Sequence, residues 1–139
     1  MSPATQHLLA DLSRALGLPP LQLDETDTCA VRDGDLHVDL HLVEELDALC
    51  LCVEIGQLHE AGKPAALRRL LEANLTREGL GHAHLALSES GDIVALCRTL
   101  RLQGQTVVAM LSEIAALVRM CREWREALCL TASTAVPLV

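Results

Sequence analysis

The chain has 139 residues, a mass of 15.0 kDa and a formal net charge of −8 at pH 7. That length fits one domain, and an apolar share of 50% is enough for a hydrophobic core. The acidic charge argues against binding to nucleic acid or to an anionic membrane, and a single aromatic residue, Trp124, argues against stacking on bases.

The first half of the chain predicts one amphipathic helix followed by three strands. Apolar residues recur every three or four positions before Gly17, and Pro19-Pro20 prevents the helix from continuing. Asp33-Gly34 favours a hairpin turn, and the residues after it alternate between apolar and polar, as in a half-buried strand. The third strand is apolar on both faces, so we expect each face to be covered. The predicted bounds are 5–16 for the helix and 28–32, 36–43 and 48–55 for the strands.

The second half predicts a helix, a strand hairpin and a long final helix. Pro64 suits the first turn of a helix. After Gly104, a broad apolar stripe that ends near Trp124 predicts a helix that lies on its own sheet. A dimeric coiled coil is the alternative, but it would need a narrower stripe. The predicted bounds are 64–75 and 105–129 for the helices and 84–87 and 93–98 for the strands.

The element order α-β-β-β-α-β-β-α predicts a single α+β domain over residues 1–139 with a twisted antiparallel sheet. Its core spans about residues 5–129, and residues 130–139 are expected to form a loose tail. The polar side of the final helix is expected to face solvent through Arg119, Arg122 and Arg125. Residues 1–63 carry twelve acidic and three basic residues, which suits either a basic partner or simple solubility.

No residue pattern indicates catalysis or a bound cofactor. The sequence contains neither a GxSxG motif nor a glycine-rich phosphate loop. The six cysteines lie mostly within apolar runs and form no CxxC pair, which is typical of buried free thiols in a reducing compartment. His37 with His41, and Cys50 with Cys52, share strand faces, but without the loop spacing of a structural zinc site. We therefore expect no catalytic residue, no metal and no cofactor.

Several segments resemble one known family in their order and spacing. They are LGLPPLQLDE at 16–25, Cys29, Leu49-Cys50-Leu51 with Gly56, Leu70–Leu75, Leu85-Ala86-Leu87 with Gly91, and a last helix with Trp124 and Leu128. This pattern is similar to the class I type III secretion chaperones, the Tir chaperone (CesT-like) family. The resemblance covers roughly residues 5–128 and implies a small cytoplasmic homodimer without enzymatic activity.

The resemblance also implies a partner and two surfaces. Such chaperones bind the amino-terminal region of a secreted effector, keep it soluble and secretion-competent, and deliver it to the secretion apparatus. Each implied residue is a leucine or valine that could instead fill the core. The implied effector-binding residues are Leu8, Leu12, Leu16, Leu18, Leu21, Leu23, Val38, Leu40 and Leu42. The implied dimer-interface residues are Leu67, Leu70, Leu71, Leu75, Leu85 and Leu87.

Two other functional hypotheses are compatible with the sequence. The first is a thiol- or zinc-responsive regulatory or interaction domain that uses Cys50, Cys52 and the histidines. The second is an enzyme without a recognisable motif, which no residue pattern requires. The chain has no apolar run long enough for a membrane-spanning helix and no visible signal peptide, so we expect a cytoplasmic protein without membrane contact.

Overall fold

A computed structural model describes residues 3–17 and 28–131, and within these ranges the chain forms three α-helices and five strands. This order confirms the predicted α+β arrangement. Short 3-10 turns cover Glu44–Leu46 and Glu60–Gly62. The helices are α1 (Pro3–Ala15), α2 (Lys63–Thr76) and α3 (Val107–Ala127), and the strands are β1 (Thr28–Asp33), β2 (Leu36–Val43), β3 (Ala48–Gln57), β4 (His84–Leu87) and β5 (Ile93–Arg101).

The strands form one antiparallel sheet in the order β1-β2-β3-β5-β4. Helix α3 lies against β3 and β5, α1 packs on α3, and α2 packs against β4. The apolar stripe of α3, which includes Met110, Leu117 and Trp124, is buried within the single chain. The stripe therefore covers the chain's own sheet, as its width predicts.

Alternation along the central strands separates a helix-facing side of the sheet from an outer side. Leu49, Leu51 and Val53 of β3 are fully buried beneath the helices, whereas Cys50 and Cys52 between them are half-buried on the other side. Side chains on both faces of β3 are therefore at least partly shielded from solvent, as predicted. The helix-facing side forms the main core, and the outer side carries small and polar residues.

Strand β3 runs two residues beyond its predicted end and is irregular near Gly56. The pairing register with β5 shifts between Glu54 and Gly56, and Gln57 donates its N–H to the carbonyl oxygen of Thr131 at 3.0 Å. A Cβ on Gly56 would lie 2.6 Å from that oxygen, so only glycine allows the approach. Leu130 is buried beside it. The rest of the predicted tail, residues 132–139, lies outside the described residues.

The arginines of α3 do not all face solvent as predicted. Arg119 is exposed, but the side chain of Arg125 is only 16% exposed. Arg125 donates to the carbonyl oxygens of Ile55 at 2.5 Å and Glu54 at 3.4 Å. The pairing of β3 with β5 is irregular here, and side chains from α3 supply donors to these carbonyls, because Cys121 also donates to the carbonyl of Glu54 at 3.4 Å.

Candidate functional site

A groove of about 760 Å³ separates α1 from the start of α3, and we name it the α1 groove. Helix α1 turns Leu9 and Leu12 into the core, which leaves Leu8 half-buried at the groove wall. Asp47 and Asp11 lie on the groove rim, and Asp11 is ion-paired with Arg14 on the same helix. The remaining lining residues are Ala4, Thr5, His7, Leu102, Gln103, Gly104, Gln105, Thr106 and Val107. An apolar wall with an acidic rim suits an amphipathic segment that carries basic residues.

Helix α2 presents a pair of exposed leucines to solvent, which we name the α2 patch. Leu71 is 71% exposed and Leu75 is 84% exposed, and their four-residue spacing places them on one side of the helix. Leu70 and Ala73 on the other side are buried. Two leucines this exposed on one helix face are typical of an association surface.

The two edge strands of the described sheet are β4 and β1, and an asparagine side chain covers part of β4. At β4, the side chain of Asn74 accepts from Leu85 N–H at 2.8 Å and donates to Leu85 C=O at 2.9 Å. This amide occupies backbone groups of Leu85 that an added strand would need. At the opposite edge, β1 pairs with β2 alone among the described strands, and Thr28 and Cys29 of β1 make further interactions.

The predicted effector-binding residues occupy different environments. Leu8 and Leu16 are half-buried on α1, whereas Leu12 is fully buried. Val38, Leu40 and Leu42 of β2 face the helices and belong to the core of the single chain. Leu18, Leu21 and Leu23 lie outside the described residues. The effector-binding assignment stays a prediction, and of its described members only Leu8 and Leu16 are partly accessible.

The predicted dimer residues also divide by exposure. Leu71, Leu75 and Leu87 are exposed, and Leu87 is 44% exposed on the edge strand β4. Leu67 is half-buried, whereas Leu70 and Leu85 are buried. The dimer assignment stays a prediction and rests on the exposed members.

Sequence reasoning missed two exposed apolar side chains. Leu46 is 67% exposed in the turn between β2 and β3, and Val108 is 78% exposed in the first turn of α3. Val108 lies next to Val107, which lines the α1 groove. Val108 falls off the apolar stripe of α3, and that position is the signal that could have identified it. Leu46 lies in a short turn without a stripe, so no periodic signal marks it.

A second, smaller cavity of about 340 Å³ lies between α2 and the end of α3. Trp124 forms part of its wall, and the guanidinium of Arg69 lies 5.6 Å from the centre of the Trp124 ring. Glu72, Glu78 and Glu123 also line it. The Arg69–Trp124 contact joins α2 to α3 and thereby holds the α2 patch in place.

Four side chains lie in a row across the outer side of the sheet. Pairing register places Asp39 beside Cys52, Cys52 beside Cys97, and Cys97 beside His84. The two sulfur atoms are 3.1 Å apart. Burial raises the pKa of Asp39, and the charge of His37 opposes that shift. Within the described residues, no group of three or more His, Cys, Asp or Glu side chains is arranged to hold a metal ion.

The chain matches one protein family. Residues 7–125 match the Tir chaperone protein (CesT) family. The curated proteins give no significant sequence match. In the parts of the chain that the structure describes, no helix is both long and apolar enough to cross a membrane.

Solved structures share the fold at low sequence identity. A chain of the ExsC–ExsE complex is 24% identical with a TM-score of 0.80, and the match covers 96% of this chain and 100% of that one. A chain of the HopA1–SchA chaperone–effector complex is 22% identical with a TM-score of 0.71. The match covers 88% of this chain and 94% of that one. The structure of the Yersinia pestis type III secretion chaperone SycH in complex with a stable fragment of YscM2 matches with 21% sequence identity and a TM-score of 0.66. That match covers 86% of this chain and 98% of the other.

Proposed function

Because the chain belongs to the Tir chaperone protein (CesT) family, we propose that it is a cytoplasmic homodimeric type III secretion chaperone for an effector. It binds the effector's amino-terminal region, keeps that region soluble and secretion-competent, and delivers it to the secretion apparatus without catalytic turnover. The family match over residues 7–125 is the observation that carries the proposal. The chaperone–effector complexes among the structural neighbours support it.

The α2 patch supports a dimer of this chain. A two-fold axis brings the same surface of both copies together, so one exposed leucine pair supplies both sides of an interface. Leu71 and Leu75 would then be removed from water against their own copies. Leu87 of β4, the strand on which α2 packs, extends the apolar surface.

The α1 groove fits a helical segment of a client. Such a segment can place its apolar side against Leu8 while a basic residue faces Asp47, because Arg14 already pairs with Asp11. The dimer carries two copies of the groove, so one client chain gains avidity by contacting both.

The thiol- or zinc-responsive alternative receives no support from the comparisons. The family match identifies a chaperone instead.

Two sets of variants test the α2 patch and the α1 groove separately. Leu71→Asp with Leu75→Asp is expected to convert the dimer to a monomer, because charges would lie at the centre of the interface. Ala65→Asp is the matched control, since it adds a charge at an exposed position of the same helix. The measurement is mass by light scattering, with folding checked by circular dichroism.

The second pair addresses the client. Leu8→Asp is expected to weaken binding of the effector's amino-terminal region at least about tenfold while the dimer persists. Ala10→Asp, also exposed on α1 but not part of the groove, is expected to bind normally. Equal binding by both variants would show that the client does not use the α1 groove. A dimer that survives both leucine substitutions in α2 would place the interface elsewhere.

A further inference from the structure

The outer side of the sheet holds a pair of thiols that the proposed function does not use. Cys52 of β3 and Cys97 of β5 are directly paired, and their Sγ atoms are 3.1 Å apart. Paired positions on neighbouring antiparallel strands place Cα atoms about 4.5–5.5 Å apart. Disulfides need Cα atoms about 4.4–6.8 Å apart, so rotation of the side chains is enough to bring the sulfurs into bonding distance.

We propose that Cys52 and Cys97 form a reversible thiol-oxidation site, at which a hydroperoxide converts the two thiols into an intrachain disulfide. The site is a property of this sheet and does not depend on what the chain binds.

The chemistry of the pair assigns a role to each sulfur. The hydrogen bond between the two sulfurs lowers the pKa of Cys97, although burial opposes this shift. The same hydrogen bond, together with burial, raises the pKa of Cys52. The lowered pKa favours Cys97 as the thiol that ionises and attacks an oxidant. Cys97 is only 8% exposed, so a small hydroperoxide must reach it past the half-buried Cys52, whose sulfur lies 3.1 Å away.

The reaction has two steps. The Cys97 thiolate attacks the peroxide oxygen, the O–O bond breaks, and the leaving oxygen takes a proton as water or alcohol; Cys97 becomes a sulfenic acid. The Cys52 sulfur then attacks the Cys97 sulfur, the S–O bond breaks, and water leaves with the Cys52 proton. Two thiols are oxidised to one disulfide, and one hydroperoxide is reduced to water and an alcohol or a second water.

The neighbouring cysteines make the proposal specific. Cys50 lies on the same outer face but pairs with Thr99, and burial raises its pKa. Cys121 is fully buried on the sheet-facing side of α3, and burial raises its pKa to about 11. A thiol held protonated reacts slowly, so neither is expected to compete with Cys97.

The test is peptide mapping of the native full-length protein after brief exposure to hydrogen peroxide, with free thiols alkylated before denaturation. We expect a peptide that joins Cys52 to Cys97, its loss after treatment with dithiothreitol, and a melting temperature about 5–15 °C higher in the oxidised form. Cys50→Ser should leave all three results unchanged. Cys52→Ser and Cys97→Ser should abolish them.

Three results would overturn the proposal. They are a native protein in which both thiols remain free after oxidation, a disulfide that joins Cys97 to Cys50 instead, and a Cys52–Cys97 bond that appears only after denaturation. The peptide map of the unmodified chain decides among these outcomes even if a serine variant fails to fold.

Discussion

Arg125 at the end of α3 donates to Asp35 in the β1–β2 turn at 2.8 Å, although the two residues are 90 positions apart in the chain. The same guanidinium also donates to the carbonyls of Ile55 and Glu54. One side chain therefore joins the last helix, the first hairpin and the irregular end of β3. These contacts fix α3 across the sheet, and α3 in turn supports α1 and the wall of the α1 groove.

Arg125→Ala is expected to lower the free energy of unfolding by about 1–3 kcal/mol, because buried carbonyl oxygens lose a charged donor. Arg125→Lys should recover only part of the loss, since an ammonium cannot reproduce the planar fork of donors. Arg119→Ala, exposed on the same helix, should change stability by less than about 0.5 kcal/mol. Urea unfolding measures all three. Equal effects of the two alanine variants would contradict this role of Arg125.

Asn74→Ala is expected to lower the free energy of unfolding by about 1–3 kcal/mol and to promote aggregation. The substitution removes both hydrogen bonds to Leu85 and opens the β4 edge to other strands. Asn74→Asp keeps an acceptor for Leu85 N–H but places a negative charge beside Leu85 C=O, so it should not restore stability. Glu72→Ala, exposed on the same helix, is the control. Unchanged stability and solubility of Asn74→Ala would show that the edge needs no such cover.

Gly56→Ala is expected to destabilise the chain by about 1–3 kcal/mol, because the new Cβ would lie 2.6 Å from Thr131 O and 2.9 Å from Leu130 Cβ. Gly62→Ala provides the matched control, since nothing lies within 4 Å of its Cβ position. That substitution should be neutral or slightly stabilising, because alanine restricts the unfolded chain. Thermal unfolding of both variants tests the close approach, and similar melting temperatures would argue against it.

Two aspartates are expected to respond to pH with opposite signs. Burial raises the pKa of Asp39 above its ordinary value of 3.8, so the folded chain holds that proton more tightly than the unfolded chain. The resulting penalty is absent below pH 3.8 and is complete once the pH exceeds the raised pKa. Asp39→Asn should therefore increase stability at about pH 7 and change it little at about pH 3.

Asp35 supplies the comparison. Its hydrogen bond from Arg122, with help from Arg125, lowers its pKa below the ordinary value of 3.8. That stabilisation is complete above pH 3.8 and is lost as the pH falls through the lowered pKa. Asp35→Asn should therefore reduce stability at about pH 7, by a small amount because the carboxylate is exposed to solvent. Urea unfolding of both variants at about pH 7 and about pH 3 checks these effects. If both substitutions changed the free energy of unfolding in the same direction at about pH 7, the opposite pKa shifts of Asp39 and Asp35 would be contradicted.

Local patterns in the sequence predicted most of the fold. Alternation placed β2 at Leu36–Val43, the bounds that the structure has, and the wide apolar stripe of α3 predicted packing on the sheet. The shift at Gly56 was not predictable, because its cause is a contact with Thr131, far away in sequence. The partners of Arg125 and Asn74 also depend on tertiary contacts.

The candidate site was less predictable than the fold for a related reason. A leucine that faces the core and a leucine that faces a partner give the same periodic signal. Leu71 and Leu70 are adjacent in sequence and were assigned to one interface, yet Leu71 is exposed and Leu70 is buried. Only the packing of α2 on β4 separates them.

The most direct test of the central claim is native mass spectrometry of the chain co-expressed with the amino-terminal region of each type III effector from its own bacterium. The account predicts a dimer of about 30 kDa, twice the chain mass of 15.0 kDa, that binds one effector segment. A chain that remains monomeric and binds none of the effector segments would contradict it.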